Sequence, residues 1–170
     1  MINRILIRIK VLQILFAYYQ NGEKNIATAE KELMFSLKKS YDLYHYLLLL
    51  INEVTYLQER IIDNRRHKYL PTEKELNPNM RFINNRFAIQ LAQNEALLKY
   101  TKDESISWSN DTDFIRNVLD LIKESDLYTQ YMNSDDTSFE ADREFWRATF
   151  KHVIGGSEFV YEYLEDKCLY

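Results

Sequence analysis

The sequence predicts an all-α protein, a helical bundle of about six or seven helices around a buried first helix. Three observations predict it. Only 3 Gly and 2 Pro occur in 170 residues, a composition that disfavours β-rich, disordered and collagen-like chains. Apolar residues recur at three- and four-residue intervals through most of the chain, the rhythm of one helical face. The first such segment is apolar on nearly every side from Val11 onward, the pattern of a helix with neighbours all round. A chain of this length suffices for one domain that buries roughly 70% of its unfolded surface.

The first helix is expected over residues 3–20. Ile2, Ile5, Ile9, Leu12, Phe16 and Tyr19 share a face, and Leu6, Ile14 and Leu15 widen it. Asn3 suits the N-cap, and Asn21-Gly22 ends the helix. A second helix starts near Ile26, with Leu33, Leu37, Tyr41, Tyr44, Leu48, Ile51, Thr55, Gln58 and Ile62 in register as far as Tyr69. Unbroken it would measure about 65 Å, so a break is expected near Ser40. Arg65, Arg66, His67 and Lys68 suit the negative end of its dipole, and Pro71 follows.

Residues 70–81 read as a long loop, inside which Thr72-x-x-Glu75 forms a capping box. A helix over 82–100 then turns Phe82, Phe87, Ala88, Leu91, Ala92, Leu97 and Leu98 inward. Residues 101–112 are a polar loop around Trp108. Asp111 or Thr112 caps a helix whose Ile115, Val118, Leu119 and Ile122 face the core, and 133–137 form another loop. Thr137-x-x-Glu140 opens the next helix as a capping box; Phe145, Trp146, Thr149, Phe150, Val153 and Ile154 are its apolar face. Gly155-Gly156 stops or kinks it. Ser157 caps a last helix with Phe159, Val160, Tyr163 and Leu164 inward. Residues 1–100 form an N-terminal helical region, and 101–170 an acidic helical extension packed on it as one domain. Leu169-Tyr170 falls in mid-pattern, so the chain reads as the N-terminal piece of a longer protein.

Net charge is −4, which taken alone opposes nucleic-acid binding. The distribution says more. Residues 1–102 hold 16 Lys/Arg and 10 Asp/Glu, whereas 103–170 hold 6 and 16, and such asymmetry suggests different partners for the two halves. A solvated acidic surface with no partner fits the same numbers. The single Cys168 excludes an intrachain disulfide and Cys-based zinc sites, and fits a reducing cytoplasm. The longest apolar run, 46–51, is too short for a membrane span. Arg4, Arg8 and Lys10 interrupt any signal-peptide core.

Little points to catalysis. The histidines at 45, 67 and 152 lack the Glu-x-x-His spacing of di-iron bundles. Asp42-x-x-His45 reads as part of a tyrosine-rich core face rather than as a metal site. Gly155-Gly156 lacks the Lys-Ser/Thr of a P-loop, and Cys168 has no base beside it. The chain is expected to be no enzyme, with neither cofactor nor metal.

The cations of the first helix stand out. Arg4 and Arg8 lie one turn apart on one face, with Lys10 to the side. Like charges at that spacing, at the positive end of a helix dipole, cost roughly a few tenths of a kcal/mol. Their placement suggests a polyanionic partner, such as RNA phosphates or bases to stack on. Nearby carboxylates are the plainer alternative. Arg60, Arg65, Arg66 and Lys68 form a second cluster, for which helix capping is the competing reading. If the end of helix two packs beside the start of helix one, the clusters form one stripe, with Tyr18, Tyr19 or Tyr69 as stacking surfaces.

Arg4, three residues, Arg8, then Val11-Leu12-Gln13-Ile14-Leu15-Phe16-Ala17-Tyr18 resembles the opening helix of the NusB family of transcription antitermination factors. The segments Tyr41-Asp42-Leu43-Tyr44-His45-Tyr46-Leu47-Leu48-Leu49-Leu50-Ile51, Leu70-Pro71-Thr72 and Leu76-Asn77-Pro78-Asn79-Met80-Arg81-Phe82 resemble its enlarged members from Bacteroides-type bacteria. The family's C-terminal Phe-x-Asn-Gly-x-Leu-Asp segment does not occur in these 170 residues. The resemblance implies a cytoplasmic bacterial protein that binds boxA-type single-stranded RNA with the ribosomal protein NusE. Within the transcription complex it would help RNA polymerase resist termination. Arg4, Arg8, Lys10, Arg65, Arg66 and Lys68 would then contact RNA. The alternative is a helical protein–protein interaction module without RNA contact, its acidic half docking on a basic partner.

Overall fold

The computed structural model describes residues 4–20, 22 and 25–167, and every regular element among them is helical. Nine α-helices follow in order: α1 (Arg4–Gln20), α2 (Ile26–Arg66), α3 (Glu73–Leu76), α4 (Arg86–Ala92), α5 (Glu95–Asp103), α6 (Thr112–Glu124), α7 (Asp126–Asn133), α8 (Phe139–Ala148) and α9 (Glu158–Asp166). A π-helical turn, Thr149–Ile154, continues α8. The all-α bundle is as expected; the element count is higher, because two expected helices are each two. No described helix is long and apolar enough to cross a membrane.

The centre of the fold is not the first helix. No residue of α1 is buried. It packs against α2 through Leu6, Lys10, Val11, Ile14, Ala17 and Tyr18, which are half-buried. Its opposite stripe, Ile5, Ile9, Leu12, Phe16 and Tyr19, lies in solvent at 65, 48, 70, 64 and 80% exposure. An all-round apolar pattern shows that a helix lacks a polar face; it does not supply the neighbours. Ile2, Asn3, Asn21, Cys168 and Leu169-Tyr170 lie outside the described residues.

The central element is α6. Val118, Leu119 and Ile122 are wholly shut off from water and pack against Leu50, Ile51 and Val54 of α2, with α7, α8 and the π turn around them. The core draws on side chains from both sides of residue 100. Burying this many large side chains, at about 1.5–3 kcal/mol each, dominates the stability.

α2 runs unbroken for 41 residues and ends at Arg66 rather than Tyr69. The break expected near Ser40 is absent. Ser40 sits inside the helix with its hydroxyl donating to the Ser36 carbonyl at 3.0 Å, a bond compatible with helix. α1 supports the first part of α2 and the core supports the rest, so no stretch lacks tertiary support.

The helix expected over 82–100 is two. Asn85 and Asn94 cap α4 and α5 by accepting from Ala88 N at 3.0 Å and Leu97 N at 2.9 Å. Phe82 is buried in the preceding turn, while Ala92 and Leu98 face solvent. Ser125 likewise separates α6 from α7, its hydroxyl accepting from Tyr128 N. Thr72-x-x-Glu75 forms the expected capping box, but Thr137-x-x-Glu140 does not: Ser138 caps α8 through Ala141 N at 3.2 Å. Asp111 holds the N-cap position of α6 without capping it. Its carboxylate accepts instead from Tyr163 Oη and Lys167 Nζ, which docks α9. Trp108 belongs to a polar stretch yet is buried. Its Nε1 donates to the Tyr46 carbonyl at 2.9 Å, and its ring stacks on Phe114 at 5.2 Å. Gly155 ends the π turn where a Cβ would come within 2.8 Å of the Phe150 carbonyl oxygen. Ser157 caps α9, and of its expected inward face Phe159 is exposed.

Candidate nucleic-acid interface

Arg4 and Arg8 stand at the start of α1, one turn apart, and both are exposed. Among the described residues neither has a carboxylate partner. Lys10 is two positions on from Arg8, about 200° round the helix. Lys10 is half-buried toward α2, away from the two arginines. Beside α1 the exposed ring of Tyr19 meets Tyr18 edge-on at 5.6 Å, an apolar plate at the far end of the helix from the arginines.

The second cluster comes apart in space. Arg66 turns to the Met80 sulfur at 3.8 Å, and its Nε is buried without a partner. Lys68 pairs with Glu75 at 2.6 Å. That lysine, followed by the Thr72 N–H, holds the Glu75 carboxyl down at about 2. Arg60 lies over the Tyr56 ring at 5.9 Å. Arg65 lines a cleft.

Nor do the two clusters join. A short connection folds α1 back along α2, so Arg4 lies beside the stretch of α2 near residue 40. Arg65 is some 25 residues further along the same helix, roughly 35–40 Å away. Two separate positive positions result.

The cleft beside Arg65 has about 270 Å³ and is lined by Gln58, Ile62, Arg65, Lys74, Glu75, Pro78, Asn79 and Lys123. Arg65, Lys74 and Lys123 come from α2, α3 and α6, and none has an ion-pair partner among the described residues. Lys123 escapes a reading by sequence proximity, since 58 residues separate it from Arg65 and the two meet only once α6 packs on α2.

A second cleft, of about 470 Å³, is lined by Asn79, Arg81, Asn84, Arg86, Met132, Thr137 and Asp142. Several of its polar groups hold loops together, among them Asn79, which donates to the Met132 carbonyl at 3.0 Å. Arg81 donates to the Ser134 and Asp136 carbonyls and lies 4.5 Å over the Tyr131 ring. Asn85, fully buried, donates to Tyr131 Oη at 2.9 Å and to the Asp142 carbonyl at 3.2 Å. Tyr131 Oη donates to Asp142 Oδ1 at 2.6 Å, and Arg86 N donates to Oδ2 at 2.9 Å. Burial first, and then the Asp142 carboxylate, push the Tyr131 phenol up to about 12. The segment Leu76-Asn77-Pro78-Asn79-Met80-Arg81-Phe82 thus stitches the turn before α4 to the loop before α8.

Asp42 and His45 are both buried, as members of a tyrosine cluster. Tyr100 Oη donates to Asp42 at 2.6 Å, His45 Nδ1 donates to the Tyr41 carbonyl at 2.8 Å, and the His45 and Tyr100 rings lie 4.0 Å apart. Burial and the Asp42 carboxylate raise the Tyr100 phenol. Among the described residues no group of three or more His, Cys, Asp and Glu is arranged to hold a metal.

No family model matches the sequence, and no curated protein or solved structure matches the chain.

Proposed function

We propose that this chain is an RNA-binding factor of the transcription antitermination type, acting in the cytoplasm. In this reading it contacts boxA-type single-stranded RNA together with the ribosomal protein NusE. The observation that carries the proposal is the pair Arg4 and Arg8: two exposed guanidiniums with no carboxylate partner among the described residues, on a helix supported along α2. Guanidinium forks match phosphate geometry, and each phosphate neutralised releases counterions. Lys10, Arg66 and Lys68 drop out of the contact set, since they are half-buried or paired. The test is anisotropy of a labelled boxA-like RNA against the wild type and Arg4→Ala/Arg8→Ala. Both positions are exposed, so the fold is retained. Affinity falls by about tenfold or more when two charge-assisted contacts are lost; unchanged affinity removes the reading.

A second reading, an interaction module without RNA contact, is favoured by the outer stripe of α1. Its residues fall at alternating four- and three-residue steps, the spacing of a helix–helix seam. At roughly 200 Å² for a fully exposed side chain of this size, the five carry about 650 Å² of apolar surface. That exceeds the usual largest patch on a monomer and approaches the roughly 800 Å² per partner of a stable interface. The occupant is a second copy of the chain, its α1 antiparallel across a two-fold axis. Antiparallel pairing keeps the arginines of the two copies at opposite ends of the seam.

A further inference from the structure

We propose that the cleft formed by Gln58, Arg65, Lys74 and Lys123 is a binding site for a phosphate group, carried by a small phosphomonoester or by an RNA backbone. Arg65 and Lys74 come from the consecutive helices α2 and α3, but Lys123 reaches the cleft from α6, so capping of the α2 end does not explain the convergence of all three. Like charges brought into one cleft repel unless an anion accompanies them. The only carboxylate lining the cleft is Glu75. It already accepts from Lys68 Nζ, Thr72 N and Thr72 Oγ1. That carboxylate therefore balances Lys68, and the charges of Arg65, Lys74 and Lys123 remain over.

Gln58 adds a nearly buried amide to the lining. The residue is 8% exposed, and its Oε1 is buried without a hydrogen-bond partner. Of this amide only the N–H₂ can donate to an anion, as the cations do. A cleft of about 270 Å³ holds a phosphate with part of the group it esterifies. Arg65 supplies the planar fork for two phosphate oxygens, and the lysines supply point charges. This site lies far along α2 from Arg4 and Arg8, and it stands or falls apart from them.

The experiment is a titration of the full chain with inorganic phosphate, followed by the NMR signals of the Gln58 side-chain amide and the Arg65 Nε–H. Sodium chloride of matched ionic strength is the control. The signals shift with phosphate and not with chloride, and Lys74→Ala/Lys123→Ala weakens the response by about tenfold. Lys74→Ala alone, at an exposed position, gives a partial loss and covers the case in which the double variant misfolds. Adenosine monophosphate and a short RNA without terminal phosphate form two further arms. A stronger response to the first assigns a phosphomonoester, and to the second an RNA backbone. The proposal is overturned if phosphate moves these signals no more than chloride does, or if the response survives Lys74→Ala undiminished.

Discussion

At the residue scale, the Asn85 side chain ties three parts of the structure together. It is fully buried, caps α4 through Oδ1 and joins Tyr131 to the Asp142 backbone through Nδ2. Asn85→Ala removes a cap and strands the Tyr131 and Asp142 groups in the interior, at a cost of about 2–4 kcal/mol. Urea unfolding monitored by circular dichroism measures it, and a loss below 1 kcal/mol would mean that water replaces the amide. None of this was legible in the sequence, where Asn85 sits inside an apolar rhythm that continues to Tyr100. Asn is a favoured N-cap residue, yet the apolar spacing runs on across Asn85 and Asn94, because helices on either side of a short break can keep one another's register. The same blindness affects Arg81, which reads as a surface cation and in fact ties down the loop before α8. Ser157 and the Thr72–Glu75 box were legible because each stands at the head of its own short segment. The polar cleft at Gln58 was not, because its cations come from three helices.

At the scale of elements, the amphipathic faces of α6 and α8 were readable, and the environment of α1 was not. α6 has polar residues opposite Val118, Leu119 and Ile122, so its orientation follows from its sequence. α1 has no such face, and its spacing alone cannot say whether one side or every side is covered. Its outer stripe leads to a direct expectation. Wild-type protein at micromolar concentration sediments as a dimer, and Leu12→Glu/Phe16→Glu sediments as a monomer with the helical content unchanged, since both side chains are exposed. Charges in a desolvated seam cost several kcal/mol, enough to abolish pairing. A monomeric wild type, or a double variant that remains dimeric, excludes the seam. The uninterrupted α2 teaches a related lesson. Helix length is limited by support, and this helix draws it from α1 at one end and from the core at the other.

At the scale of the whole molecule, the all-helical class and the excess of acid in residues 103–170 were legible from composition, while the spatial separation of the basic clusters required the fold. A net charge of −4 repels RNA at long range, but at physiological salt such repulsion fades within about 8 Å. Two arginines on α1, without a carboxylate partner among the described residues, therefore act locally, and a contact made by them alone leaves a small, countable salt dependence. The deciding measurement is the slope of log affinity against log salt for a boxA-like RNA, for wild type and for Arg4→Ala/Arg8→Ala. Two single-strand phosphate contacts are worth about 0.7 each, so the slope becomes shallower by about 1.4 in the double variant. Identical slopes would show that these arginines touch no phosphate and would contradict the proposed function.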